Sequence, residues 1–300
     1  MSTRQAVVII NPLSGRGRQR PQLELHARLA DDILTSHGYR VVVRHTTAAG
    51  DATAFAREAV RVGSKLVVAW GGDGTINETA TALAHSSVAL GIVPAGSGNG
   101  LAADLDIPFE PRAALVVAAS STTRLIDAGR AGDDLFFNIA GIGIDAVIAA
   151  RFAERGPSQR GLTGYLQLSS AELLRYRAAS YRLTIDGQVN EQRAMLIAIA
   201  NGRQYGNRMF IAPGARLDDG LLEVVAVEQL SLLGIAWRLP ALFRGTLTPA
   251  HGVTMRAARS IGIASSEPIP YHLDGEPRLG GRELQLEIVP AALKVRAPAR

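Results

Sequence analysis

Between residues 6 and 93, short apolar runs alternate with segments whose apolar residues recur at helical spacing. No other feature constrains the fold so tightly. AVVII at 6–10, YRVVVR at 39–44, KLVVAW at 65–70 and ALGIV at 89–93 read as strands, and 21–37, 52–62 and 76–85 read as the helices between them. A strand followed by a helix and another strand must cross over to pair in parallel. The pattern therefore predicts a doubly wound α/β sheet.

Beyond Ile126 the rhythm changes. Short β-type runs at 135–140, 181–185, 194–200, 222–227, 253–257, 260–264 and 284–289 are separated mostly by Gly, Asp or Asn turns, with one helix near 165–176. This predicts a second, mainly antiparallel β domain. The expected division is 1–126 and 127–289, with the tail 290–300 free to pack back on the first domain. A chain of 300 residues suits two such domains. The absence of cysteine excludes disulfides, thiolate metal sites and cysteine nucleophiles.

Three turns at the carboxyl ends of the first strands carry the chemistry. GGDGT at 71–75 opens a helix, and its glycines allow close backbone approach, while its N–H groups and the helix N-terminus suit phosphate oxygens. A plain βα turn is the competing reading. Thr75 could cap the helix or meet phosphate, and Asp73 has no evident capping partner, so it is expected to face a metal or a reacting phosphoryl group. PAGSGNG at 94–100 brings Ser97 and Asn99 to the same edge, unless it is a mere connector. NPLSG at 11–15 is a third turn, with Arg16 and Arg18 behind it. GIGIDA at 141–146 matches G-x-G-x-x-A, but no following βαβ unit supports a dinucleotide site.

Carboxylates gather in LDDG at 217–220 and LDGE at 273–276. On an extended backbone Asp274 and Glu276 would face one side, and a carboxylate there could accept a hydroxyl proton. Asp and Gly are also ordinary hairpin residues, and on pattern alone the turn reading prevails.

The charge balance argues against a nucleic-acid partner. Thirty-two basic and 27 acidic residues give +5, yet residues 64–150 hold four basic against nine acidic, and no helix carries a basic stripe. No secretory signal or membrane span is evident, so a soluble cytoplasmic protein is expected. The segment LSLLGIAWRLPALFRG at 230–245 could lie in a membrane interface, Leu and Trp inward and Arg238 and Arg244 toward anionic headgroups, giving peripheral contact with the inner face. The competing reading is a core helix interrupted by Pro240.

NPLSG, GGDGT, PAGSGN, Asp-Asp-Gly and Asp-Gly-Glu, in this order, resemble the diacylglycerol kinase-like lipid kinases. GGDGT alone is shared with NAD kinases. The resemblance implies a Rossmann-like nucleotide domain, a β-sandwich substrate domain and catalysis in the cleft between them, with ATP and Mg²⁺ as cofactors and a diacylglycerol-like or sphingoid/ceramide-like lipid as acceptor. It assigns nucleotide contacts to Asn11, Pro12, Leu13, Ser14, Gly15, Thr46, Gly71, Gly72, Asp73, Gly74, Thr75, Ile76, Asn77 and Ser97. Glu276 would be the proton acceptor with Asp274 beside it. Asp73 and Asp127 would stand at the phosphoryl-transfer site, and a structural Mg²⁺ would be held by Asp219 and the carbonyls of Arg216 and Leu221. Gly-Ser-Gly-Asn-Gly at 96–100 departs from the Gly-Thr-x-Asn-Asp common in bacterial diacylglycerol kinases and is similar to sphingosine and ceramide kinases. The alternatives are an NAD kinase and a non-catalytic nucleotide or lipid sensor.

Overall fold

The computed structural model describes residues 4–14, 20–154, 172–173 and 175–299. The chain forms two compact units, Met1–Ile126 with Ala291–Arg300, and Asp127–Pro290.

The first unit has four parallel strands, β1 (Arg4–Ile10), β2 (Tyr39–His45), β3 (Leu66–Gly71) and β4 (Ala89–Pro94), in the order β2-β1-β3-β4. All residues of β3 and β4 are buried, as expected of parallel strands covered on both faces. The crossover helices are α1 (Arg20–Ser36), α2 (Asp51–Arg61) and α3 (Asp73–Leu83). Helix α3 begins three residues earlier than its apolar spacing suggests, because Gly72 is an extended N-cap and Asp73, Gly74 and Thr75 form the first turn. The short α4 (Gly100–Asp104) follows the second glycine loop. Next comes α5 (Pro111–Ser120), with Pro at its start and the Glu110 carboxylate accepting the N–H groups of Arg112 and Ala113. The long C-terminal strand β16 (Glu283–Arg296) returns to this unit, where Val295 pairs in parallel with Leu90.

The second unit is built from antiparallel strands. One sheet runs β12 (Val253–Ala258), β11 (Leu222–Val227), β10 (Leu196–Ala200), β7 (Ile139–Gly143), β14 (Pro270–Leu273) and β15 (Glu276–Leu279). The other contains the first part of β16, β13 (Ser260–Ala264), β8 (Ala179–Ile185) and β9 (Gln188–Ala194), with β5 (Thr123–Ala131) and β6 (Asp134–Phe136) joined to β16 through β5. Ile197 and Ile199 of β10 share a core with Leu183, Ile261, Ile263 and Leu286 of the opposite sheet. Ala198 and Ala200, one residue out of phase, enter a second core with Ile211, Ala212 and Val225. Both faces of β10 are therefore covered, so LIAIA is apolar throughout instead of alternating. The expected fold class, a doubly wound α/β domain followed by an antiparallel β sandwich, is the one found.

The expected strand at 135–140 is two strands, broken at Phe137 and Asn138, whose N–H groups go to the Asp274 carboxylate instead of a ladder. Helix α6 (Ile144–Glu154) follows β7 directly, so GIGIDA is a strand-to-helix corner that the sequence pattern did not identify. The helix expected near 165–176 falls mostly on residues outside those described.

Helix α7 (Leu232–Arg244) is capped by Ser231, whose hydroxyl accepts the Gly234 N–H, and closed by Gly245 at φ 68°. Ile235 and Leu242 turn inward, whereas Leu233 and Trp237, one turn apart, are each 84% exposed. The core reading fails for this outer stripe. Arg238 does not point outward as expected, because its guanidinium donates to the carbonyls of Gly234 and His251. Among the described residues no helix is long and apolar enough to cross a membrane.

Candidate active site

The three loops of the first unit are tied together by hydrogen bonds. Asn11 donates from Nδ2 to Thr75 Oγ1 at 2.9 Å and accepts the Leu13 N–H on Oδ1 at 2.9 Å, so one amide folds the first loop and fastens it to the second. Ser14 Oγ accepts the Gly72 N–H at 3.2 Å. Thr46, at the end of β2, donates its N–H to the Ile10 carbonyl at 3.0 Å. Pro12 is partly covered and Leu13 is exposed; Gly15, Arg16 and Arg18 lie outside the described residues.

The glycines act first on one another. A Cβ on Gly96 would stand 2.6 Å from Gly72 Cα, and one on Gly72 would stand 3.2 Å from Gly96 Cα. The GGDGT and PAGSGN backbones therefore touch, and only glycine permits that approach. Gly71 ends β3 and accepts the Ala95 N–H at 2.8 Å.

Asp73 corrects the sequence reading. Its carboxylate has partners: Oδ2 accepts the Asn99 N–H at 2.8 Å and Oδ1 the Gly100 N–H at 3.0 Å, so it caps α4 and clamps the second loop to the third. Asn99, at φ 55°, completes the clamp by exchanging hydrogen bonds with the Gly96 backbone. Thr75 likewise does not cap α3; it is buried, and its hydroxyl oxygen receives the Asn11 amide. Ile76 is 2% exposed and belongs to the core, so only its backbone can meet a ligand. Asn77 is half-buried, beside Thr81, and Ser97 is exposed. The N-cap Gly72 supplies no side-chain bond, and the start of α3 carries the partial positive charge of a helix N-terminus, which attracts phosphate.

In the second unit, LDGE is a two-residue hairpin in which Leu273 pairs with Glu276. Asp274 at φ 49° and Gly275 at φ 88° occupy the left-handed positions of a type I′ turn, which Asp-Gly favours. This is the hairpin reading of Asp-Gly; the backbone is not extended here, so the condition under which Asp274 and Glu276 would face one side is not met. The Asp274 carboxylate accepts three backbone N–H groups, from Phe137 at 2.9 Å, Asn138 at 2.9 Å and Ile139 at 3.0 Å, which pins the turn to the start of β7. Glu276 is exposed at the foot of that turn.

Asp127, buried on β5, accepts the Gly220 N–H on Oδ2 at 2.7 Å and donates its own N–H to the Leu217 carbonyl at 2.6 Å. It thereby organises the turn that carries Asp219, whose Oδ1 accepts the Leu221 N–H at 3.1 Å. Arg216 is exposed and lies 3.7 Å from Asp218. Among the described residues no group of three His, Cys, Asp or Glu side chains could hold a metal. The donors that the resemblance names at this turn, the Asp219 carboxylate and two backbone carbonyls, are an all-oxygen set suited to a hard cation. Burial, and then the charge of Asp219, push the Glu223 carboxyl above its usual range.

A buried polar cluster lies behind the LDGE turn, unread from sequence. Tyr205 donates to Asp145 Oδ2 at 2.6 Å, His272 Nε2 stands 2.8 Å from the same oxygen, and His272 Nδ1 accepts the Gly275 N–H at 3.2 Å. Burial disfavours charge on both partners, but their mutual attraction wins. Asp145 is held below the usual carboxylate range and His272 above the usual imidazole range. Gly141, opposite His272 in the β7–β14 register, leaves the room they need, since a Cβ there would collide with both side chains.

Comparison with known proteins agrees with this architecture. A family model of the diacylglycerol kinase catalytic domain matches residues 5–131, and one described as the YegS C-terminal NAD kinase beta sandwich-like domain matches 138–297. A relative in Klebsiella pneumoniae, named "Probable lipid kinase YegS-like", is 33% identical over 99% of this chain and 98% of its own length. A protein of the same name in Pseudomonas aeruginosa is 33% identical, covering 94% and 92%. The crystal structure of a diacylglycerol kinase from Bacillus anthracis strain Sterne shares the fold, with a TM-score of 0.77 at 21% identity over 99% of this chain and 98% of that one. Two matched domains and relatives aligned along nearly the whole length lead to one conclusion: the chain belongs to the YegS-like family of lipid kinases.

Proposed function

We propose that this kinase transfers the γ-phosphoryl group of ATP to a hydroxyl of a diacylglycerol-like or sphingoid/ceramide-like lipid. The observation that carries the reading is Glu276: an exposed carboxylate on a turn whose other carboxylate is consumed by three backbone N–H groups. In the first unit, the N–H groups at the start of α3, with Ser14 and Ser97, hold the nucleotide phosphates. Asp73 keeps the glycine loops in register for that task. Glu276 takes the proton of the lipid hydroxyl as its oxygen attacks phosphorus. Asp219 with the carbonyls of Arg216 and Leu221 would hold Mg²⁺, which would supply positive charge at the turn that Asp127 organises.

A lipid substrate requires a visit to the membrane surface, and the exposed stripe of α7 fits it. Leu233 and Trp237 supply apolar contact, and the helix carries no acidic residue, with Arg244 exposed in its last turn. An anionic bilayer suits that combination, with Trp237 at headgroup depth.

The test is ADP release from ATP and Mg²⁺ with mixed micelles of diacylglycerol, monoacylglycerol, sphingosine, ceramide and phosphatidylglycerol, run beside NAD. Turnover with one hydroxyl lipid class supports the reading. NADP formation would favour an NAD kinase, and ligand binding without turnover a sensor.

A further inference from the structure

We propose that Tyr205, Asp145 and His272 form a buried relay of positioning residues that holds the turn presenting Glu276, through the hydrogen bond from the Gly275 N–H to His272 Nδ1, and that neutral His272 is the working form. This rests on the reading of Glu276 as the proton acceptor.

The chain of contacts is continuous. Tyr205 orients Asp145, and Asp145 Oδ2 fixes the ring through Nε2 at 2.8 Å. With Nε2 carrying the hydrogen, Nδ1 offers its lone pair to Gly275, the residue between Asp274 and Glu276. Gly275, at φ 88°, is the second residue of the turn, whereas the three backbone N–H groups bound by the Asp274 carboxylate belong to residues 137–139. The turn is thus fastened at two points: Asp274 holds its first half to β7, and His272 holds its second half to the core. The Tyr205 and His272 rings lie 6.4 Å apart, and His272 is 3% exposed, so the ring has little freedom to leave.

This arrangement carries a pH dependence. An imidazolium has N–H on both nitrogens, so protonating His272 removes the acceptor that Gly275 needs and sets two N–H groups against each other. The charged or titratable groups facing the ring are Asp145 from α6, Tyr205 from the loop after β10, and Asp274 from the turn itself. Burial opposes protonation, while Asp145 and Asp274 favour it and prevail, so the loss on acidification falls above the usual imidazole range.

Two substitutions separate the contacts of the ring. His272→Asn keeps an amide oxygen near the position of Nδ1, and His272→Gln keeps an amide N–H near the position of Nε2. The relay predicts slow exchange of the Gly275 amide, read by NMR, in wild type and His272→Asn, and fast exchange in His272→Gln. It further predicts that kcat falls about tenfold in His272→Gln at unchanged KM for ATP, roughly the worth of one hydrogen bond. His272→Asn should stay within about threefold of wild type and lose the acid limb of the kcat profile. Tyr205→Phe is the milder variant: an Asp145 short of one donor holds the His272 proton more tightly, so the limb moves to higher pH. Equal kcat in the Asn and Gln variants, Gly275 protection retained in His272→Gln, or an acid limb that persists in His272→Asn would each overturn the proposal. Glu276→Gln run in parallel isolates the premise. If that variant stays active, the proton-acceptor reading fails, while Gly275 exchange still judges the relay.

Discussion

Removing the Asp274 carboxylate should damage stability as well as activity, and the structure gives the scale. Three backbone N–H groups at 2.9–3.0 Å converge on it, two of them on Oδ1. Hydrogen bonds to a charged acceptor contribute roughly 1.5–3 kcal/mol each, but at a partly exposed turn solvent screens them and replaces part of each. A net loss of about 3–5 kcal/mol for Asp274→Ala is reasonable, including the strain of Ala at φ 49°. In a cooperative unit of this size each kcal/mol moves Tm by about 2–4 °C, so Tm should fall by about 10 °C. Asp274→Asn should fall less, because Asn tolerates the left-handed backbone and its amide oxygen can still accept from Asn138 and Ile139, although the bond from Phe137 is lost and its N–H then faces the amide NH₂. Differential scanning calorimetry of both variants is the assay. A Tm for Asp274→Ala within 2 °C of wild type, or equal losses in the two variants, would refute the claim that the carboxylate pins this turn.

Asp73→Ala should lose about 1–2 kcal/mol by uncapping α4, and the loosened glycine loops should raise KM for ATP, measured by melting and steady-state kinetics. Glu223→Gln should raise Tm at neutral pH without Mg²⁺. The sign follows from the raised carboxyl: the folded state favours its protonated form, a contribution present below the unfolded pKa and lost as pH rises through the folded one, so the variant's advantage should vanish in acid. Mg²⁺ should stabilise wild type but not Asp219→Ala. Trp237 emission should shift blue on adding anionic vesicles and recover with salt, measured in a Trp70→Phe background because the other tryptophan is buried against His26. A spectrum indifferent to vesicles would return α7 to a purely structural role.

The parallel sheet was legible because its central strands are buried on both faces and its helices on one, which writes two different periods into the chain. The three glycine loops were legible as places of close approach, although at Gly72 and Gly96 that approach is between the loops themselves. Asp73 was misread, since capping by a carboxylate 26 residues away in sequence leaves no local pattern. Asp274 was legible only in part: Asp-Gly signals the turn, but not that the carboxylate would take three N–H groups from residues more than 130 positions earlier. Asp145 and His272 were missed outright. Their partnership depends on a strand register that sets Gly141 opposite His272, and the motif containing Asp145 had drawn attention only as a dinucleotide fingerprint.

The most direct test of the account is transfer of radiolabelled phosphoryl from ATP into lipid, resolved by thin-layer chromatography, for wild type and Glu276→Gln of matched Tm. The account predicts label in one hydroxyl-lipid class with wild type and a loss of at least about 10²-fold in Glu276→Gln, the scale of a general base. Label transferred equally by both proteins, or ATP hydrolysed at the same rate without any lipid, would contradict it.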